Sequence, residues 1–268
     1  MNAAGWDWSI LLPAFVAGLL VAATHVPMGA QVLARGIVFI DLAIAQIAGA
    51  GVLIADQMGF EPQGWAVQIA ALIAALLGAL LLTWTERVWP DVQEAVIGVV
   101  FVLAATGGIL LLASNVHGGE HLRDLLVGQI LWVRPRDLLA VGIVYAIILV
   151  AWFGLRERLG RTGFYLLFAC AVTLSVQLVG VYLVFATLIV PPLATRRRTR
   201  SRLLASWTVA AIGYAVGLVL STALDLPSGP VIVWSLVVVG LVTYAVLPAG
   251  AGSAAVSRHL SSDADVLT

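Results

Sequence analysis

Residues 163–197 read GFYLLFACAVTLSVQLVGVYLVFATLIVPPLATRR, and this stretch decides the architecture. Its first part, 163–180, is apolar and close to the roughly 20 residues that a helix needs to cross a bilayer. Gly180 interrupts the run, and 181–194 (VYLVFATLIVPPLA) ends around Pro191-Pro192, too short for an ordinary span. Arginines flank both sides: Arg156, Arg158 and Arg161 before it, and RRRTRSR, Arg196 to Arg202, after it. Arginine excess marks the cytoplasmic face of a membrane protein. Both clusters are cytoplasmic only if the chain crosses outward and returns within 163–194. The stretch therefore predicts one full helix followed by a short returning helix. Irregular backbone at membrane depth survives only where protein or a cavity shields it, so the break at Gly180 points to a pathway rather than a simple anchor.

Similar apolar runs lie on either side, at 9–33, 37–55, 65–85, 95–114, 137–155, 206–224 and 229–247. None alternates apolar and polar residues as a lipid-facing barrel strand does, so all are read as helices. The whole chain has 268 residues, 62% hydrophobic and 10% charged, with a mean hydropathy of +1.06. Soluble domains carry roughly 25% charged residues, so a water-soluble globule is excluded, as is a disordered chain. The expected class is an all-α integral membrane protein, a polytopic bundle of eight or nine spans that includes short broken or re-entrant helices. The formal net charge is zero, which gives no bulk attraction to nucleic acid. All 14 basic residues are arginine. Without lysine the chain has neither a Walker A phosphate-binding loop nor a Schiff-base residue. On-chain ATP chemistry is excluded, and no enzyme activity or permanently bound cofactor is expected.

The start, MNAAGWDWS, lacks a basic leader region, so the first apolar run is read as a true span. Trp6, Trp8, Trp65, Trp84 and Trp89 sit at run edges, as interfacial tryptophans do. Residues 122–133 (LRDLLVGQILWV) are read as re-entrant or interfacial. With that segment not crossing, nine crossings place the N-terminus outside and the C-terminus inside. Eleven of the 14 arginines then fall inside, with Arg123, Arg134 and Arg136 outside. A single transmembrane domain, 1–247, is followed by a small, polar, disordered cytoplasmic tail, 248–268.

Few residues can carry chemistry. Asp41 lies near the start of the second span, where a carboxylate is costly and function is the default reading; the alternative is a pair with Arg35 near the interface. Gln46 points elsewhere on the same helix and is a candidate pathway residue or an interhelical hydrogen-bonding group. The small run Ala48-Gly49-Ala50-Gly51 predicts close packing on another helix. His25 stands beside Pro27, which removes a backbone hydrogen bond; the imidazole can ligate a cation or bond a freed carbonyl. His117, Glu120 and His121, in HGGEH, form a candidate metal-capturing loop, against a plain solvated loop. Cys170 is read as a packing residue.

Four stretches in order resemble the membrane permease subunit of bacterial zinc/manganese/iron-type ABC transporters. They are RGIVFIDLAIAQIAGAGV from Arg35, LLVGQILWVRPRDL from Leu125, LVGVYLVFATLIVPPLATRR from Leu178 and DLPSGPVIVW from Asp225. The resemblance implies a homodimer, or a pair of related permeases, in a bacterial cytoplasmic membrane. It implies a separate cytoplasmic ATPase, an extracytoplasmic metal-binding protein and a transported divalent metal cation. On this reading Asp41, Gln46 and His25 line the substrate pathway. Arg156, Glu157, Arg158 and Arg161, with Arg196, Arg197 and Arg198, would contact the ATPase.

The chain departs from the family pattern twice. Ala45 stands four residues after Asp41, where the family typically has histidine. The segment GLRERLGRTG, Gly154 to Gly163, is short for the family's cytoplasmic coupling helix, which leaves three readings: RERLGR makes a minimal contact, the ATPase grips the RRRTRSR loop, or the chain does not couple to an ATPase. Two other classes stand beside this one: a gradient-driven cation transporter or channel using Asp41, and a membrane-embedded enzyme or assembly factor using HGGEH as a metal site.

Overall fold

The computed structural model describes residues 8–61, 64–112, 126, 128, 130–198 and 201–246. Among them are nine α-helices and no strand: α1 (Trp8–Arg35), α2 (Ile40–Gln57), α3 (Trp65–Val88), α4 (Gln93–Leu112), α5 (Pro135–Gly154), α6 (Arg156–Val179), α7 (Val181–Ala194), α8 (Arg202–Leu224) and α9 (Ser228–Val246). Single 3₁₀ turns occupy Pro90–Val92 and Ile130–Trp132. Eight helical segments are long and apolar enough to cross a membrane, and α7 is the short one. The polytopic helical bundle read from the sequence is therefore the fold.

Several helices run past their expected ends. Helix α1 continues through Pro13 and Pro27 to Arg35, and α8 begins at Arg202 rather than at 206. The second extension has a visible cause. The Arg202 guanidinium donates to the Pro192 carbonyl at 3.2 Å, so the arginine covers the end of α7 while starting α8. The exposed Trp8, Trp65, Trp84 and Trp89 sit at helix ends, as interfacial anchors do.

Side-chain contacts fix the direction of each helix. Arg35, at the end of α1, lies over the Phe164 ring of α6, and Arg87, ending α3, donates to Thr162 Oγ1 at 2.9 Å. Glu94, at the start of α4, accepts from the Phe39 N–H at the start of α2. Arg196 and Arg197, after α7, reach Tyr244 near the end of α9. These residues gather at one end of the bundle, which is thus its arginine-rich end. Helix α4 leaves that end and α5 returns to it through Leu155. The chain between α4 and α5 therefore starts and finishes at the opposite end, where Arg134 and Arg136 open α5. Within the 122–133 stretch, the described residues are Leu126, which is helical, Gly128, and 130–133, which hold the 3₁₀ turn Ile130–Trp132 with Ile130 buried and Trp132 exposed.

Packing follows two groupings. Helices α2, α3, α4 and α6 make one, and α1, α7, α8 and α9 the other, while α5 rests on α1 and α6. Small residues permit the closest approaches. Gly51 of α2 fits against Ala70 and Ala74 of α3, as the small run predicted. Gly213 and Gly217 of α8 seat Leu236 and Ile232 of α9. At the α1–α7 seam, Pro192 has no N–H to offer the Leu188 carbonyl one turn back. A Cβ on Gly29 of α1 would stand 1.8 Å from that oxygen, so α1 closes on the proline-freed carbonyl through bare backbone.

The break between α6 and α7 is made at Gly180, whose φ of 84° belongs to the region glycine favours. Gly128, with φ 69°, packs its backbone there: a Cβ on it would lie 2.3 Å from the Val179 carbonyl and 2.4 Å from the Gly180 nitrogen. Two irregular stretches thus shield one another away from the arginine-rich end, as backbone inside a membrane protein requires.

Candidate functional site

The second residue of α2 is Asp41, and its side chain is wholly buried. Neither carboxylate oxygen has a hydrogen-bond partner among the described residues. Removing an ion from water costs several kcal/mol even after relaxation, unless charges or hydrogen bonds offset it. The compensation the structure offers is the N-terminal end of α2, where the helix dipole favours negative charge. The pairing with Arg35 weighed from sequence does not form. Arg35 instead places its guanidinium 4.3 Å from the centroid of Phe164, in an aromatic group with Trp152, Tyr165 and Phe168. Among the described residues the ion pair within 4.0 Å is Arg161 with Glu86, at 3.9 Å. Asp41 is thus a carboxylate held in the interior and left available.

His25 is also fully buried, deep in α1. Its Nδ1 is 3.1 Å from the Val21 carbonyl and 3.0 Å from Thr24 Oγ1, while Nε2 has no partner. A proton on Nδ1, donated to Val21, leaves the Nε2 lone pair unused; the carbonyl is the imidazole's own turn, not the Ala23 group that Pro27 frees. The structure does not join His25 to Asp41. His25 lies about 15 Å of helix before the Arg35 end at 1.5 Å per residue, whereas Asp41 begins the next helix just beyond that end. Gln46 is half-buried, and Ala45 is buried. The described residues contain no group of three or more metal-ligating side chains. His117, Glu120 and His121 lie outside the described residues.

The arginines assigned to partner contact have different fates. Leu155 links α5 to α6, and the first turn of α6 carries Arg156, Glu157 and Arg158 before Gly160 breaks the helix with φ 55° and ψ −158°. One turn is all that the short segment forms before the span begins. Arg158 is exposed, and Arg161 is exposed while paired with Glu86. Arg198 is exposed, whereas Arg196 and Arg197 are drawn onto the Tyr244 ring.

Sequence reading missed a polar layer near the arginine-rich end. Gln93 Nε2 donates to the Leu82 carbonyl at 3.0 Å and to Tyr165 Oη at 3.4 Å, and Glu94 Oε1 accepts from the Phe39 N–H at 3.3 Å. Deeper, Tyr145 bonds Ser175, and Tyr214 Oη is 2.8 Å from Thr187 Oγ1. Thr173 Oγ1 is buried without a partner.

A bundle of membrane-crossing helices with one broken pair, and with the Asp41 carboxylate buried inside, is the architecture of a multi-pass membrane protein. The chain belongs to the ABC 3 transport family, whose model matches residues 7–164 and 153–247. It is similar to the high-affinity zinc uptake system membrane protein ZnuB of Haemophilus influenzae, 22% identical over 84% of this chain and 93% of that one. It is also similar to the manganese transport system membrane protein MntC of Halalkalibacterium halodurans, 26% identical over 85% and 84% of the two chains. Among solved structures, PsaBC from Streptococcus pneumoniae, in complex with Fab, shares the fold. The TM-score is 0.73, at 21% identity over 90% of this chain and 93% of that chain. The permease resemblance read from the sequence is borne out.

Proposed function

We propose that this chain is the permease subunit of an importer of divalent metal cations, zinc, manganese or iron, driven by a separate cytoplasmic ATPase. Two copies would form the pathway, and an extracytoplasmic metal-binding protein would deliver the ion. The orientation that goes with this reading places the arginine-rich end in the cytoplasm, the N-terminus outside and the C-terminus inside. The observation that carries the reading is the buried, unpartnered Asp41 carboxylate. A carboxylate oxygen is a ligand for each of these cations, and one left unpaired in a membrane interior is a default site of function. Relatives named for zinc uptake and manganese transport support the cargo class.

The test is uptake of radiolabelled Zn²⁺, Mn²⁺ and Fe²⁺ by cells that express the chain with its ATPase and binding protein and lack their own uptake systems. Uptake of at least one cation, abolished by a catalytically dead ATPase, is the expected result. Uptake that ignores ATP and follows a proton or sodium gradient would overturn the reading.

A further inference from the structure

Three arginines follow α7 in sequence, and two of them converge on one ring. The Arg197 guanidinium carbon is 4.0 Å from the Tyr244 centroid and that of Arg196 is 5.5 Å away, with Arg196 Nη2 donating to Tyr244 Oη at 3.3 Å. No carboxylate among the described residues lies within 4.0 Å of either guanidinium. Two like charges held together without a counterion repel each other. Their common attachment to Tyr244 holds them in place, and the bond to Tyr244 Oη takes one of the five N–H donors that the Arg196 fork carries. Both arginines are exposed, and so is Arg198 beside them.

The surroundings point to the kind of anion that this pair of guanidinium groups fits. Tyr244 lies in the last turn of a membrane-crossing helix, at the depth where tyrosine marks the bilayer interface. On the bilayer side of the arginines, Leu193, Leu241 and Val242 are exposed apolar side chains. A ligand that satisfies both features has a phosphate at the interface and hydrocarbon beneath it. Guanidinium groups bind phosphate oxygens through paired N–H donors, and basic clusters at the end of a crossing helix attract anionic lipid. We propose that Arg196, Arg197 and Tyr244 form a binding site for the phosphate of an anionic phospholipid in the leaflet at the arginine-rich end. The site anchors the ends of α7 and α9 to the membrane surface, and these two arginines face lipid rather than the ATPase. The inference rests on the membrane location of the bundle and is independent of the cargo.

The experiment uses the full chain in nanodiscs of phosphatidylcholine, with phosphatidylglycerol added stepwise and bound lipid counted by native mass spectrometry. Phosphatidylglycerol should be retained in preference to phosphatidylcholine, and free glycerol phosphate at the same concentration should not displace it. The double variant R196Q/R197Q should weaken retention by roughly thirtyfold, and R197Q alone by about fivefold, since each arginine near the surface contributes similarly. R198Q, which removes an exposed arginine off the ring, loses only its share of the general surface attraction and should weaken retention less than R197Q does. Folding of each variant is read from the same spectra and from gel filtration, and R197Q serves if the double variant does not fold. Unchanged phosphatidylglycerol retention in R196Q/R197Q or R197Q overturns the proposal. So does displacement by glycerol phosphate, or lipid binding that survives while binding to the ATPase is lost.

Discussion

Helices α1 and α4 both carry glycines, and they use them in opposite ways. On α1, Gly29 faces the Leu188 carbonyl so closely that any Cβ would overlap it. On α4, Gly98 and Gly107 have nothing within 4 Å of where a Cβ would stand, and their neighbours Val99, Val102, Leu103, Ile109 and Leu110 are exposed. Lipid tails are as apolar as leucine, so hydrophobicity alone does not tell a buried helix face from an exposed one. What separates the two helices is the backbone across the seam. Pro192 deprives the Leu188 oxygen of its helical donor, and glycine on α1 is the residue that lets another helix close over it.

The largest effect should come from Gly29→Val. Its side chain must displace backbone rather than a flexible tip, so the cost is about 3 kcal/mol or more. Fluorescence-detected gel filtration should show little monodisperse protein; a parent-like peak and melting curve would break the comparison between the two helices. Next comes Asp41→Asn, whose effect falls on transport alone. Replacing an unpartnered carboxylate by a neutral amide removes a desolvation cost, so the folded yield should match or exceed the parent's while metal uptake falls to background. Uptake at parent rates would place Asp41 among structural residues.

Asp41 and Glu94 also show what the sequence can and cannot disclose. The second-span aspartate stands out in an apolar run, and the structure confirms its burial. The break at Gly180 and the short α7 were equally legible, because a glycine and two prolines punctuate a run that would otherwise continue. Glu94 was not legible as a partner of α2, since its acceptor oxygen meets a main-chain N–H 55 residues away. Nor was the choice of Arg35: an aspartate six residues on is an obvious counterion, but helix α1 carries the guanidinium toward the Phe164 ring. Gly128 reads as an ordinary glycine until the fold brings it against Gly180. Pairings between helices depend on rotation and register, which an apolar run of nearly uniform hydrophobicity does not encode.

Two smaller predictions sharpen the contrast. Glu94→Ala removes the acceptor for the Phe39 N–H at the start of α2, and loss of a cap of this kind costs about 1 kcal/mol. A thermal melt followed by gel filtration should register that loss with uptake retained. Unchanged melting would make the Glu94 contact incidental. The smallest effect belongs to Gly98→Ala. An alanine there meets no atom, and a helix interior favours alanine over glycine by roughly 0.5–1 kcal/mol. The variant should therefore melt at or slightly above the parent. Gly98→Leu should behave the same way if lipid covers this face, because a leucine among lipid tails neither gains nor loses an apolar environment. A second copy of the chain packed on α4 would reverse that outcome, since helices that approach through small residues are driven apart by a large one. A fall in the dimeric fraction of Gly98→Leu, with the Gly98→Ala variant unchanged, would then move α4 from the lipid-facing surface to the interface between copies.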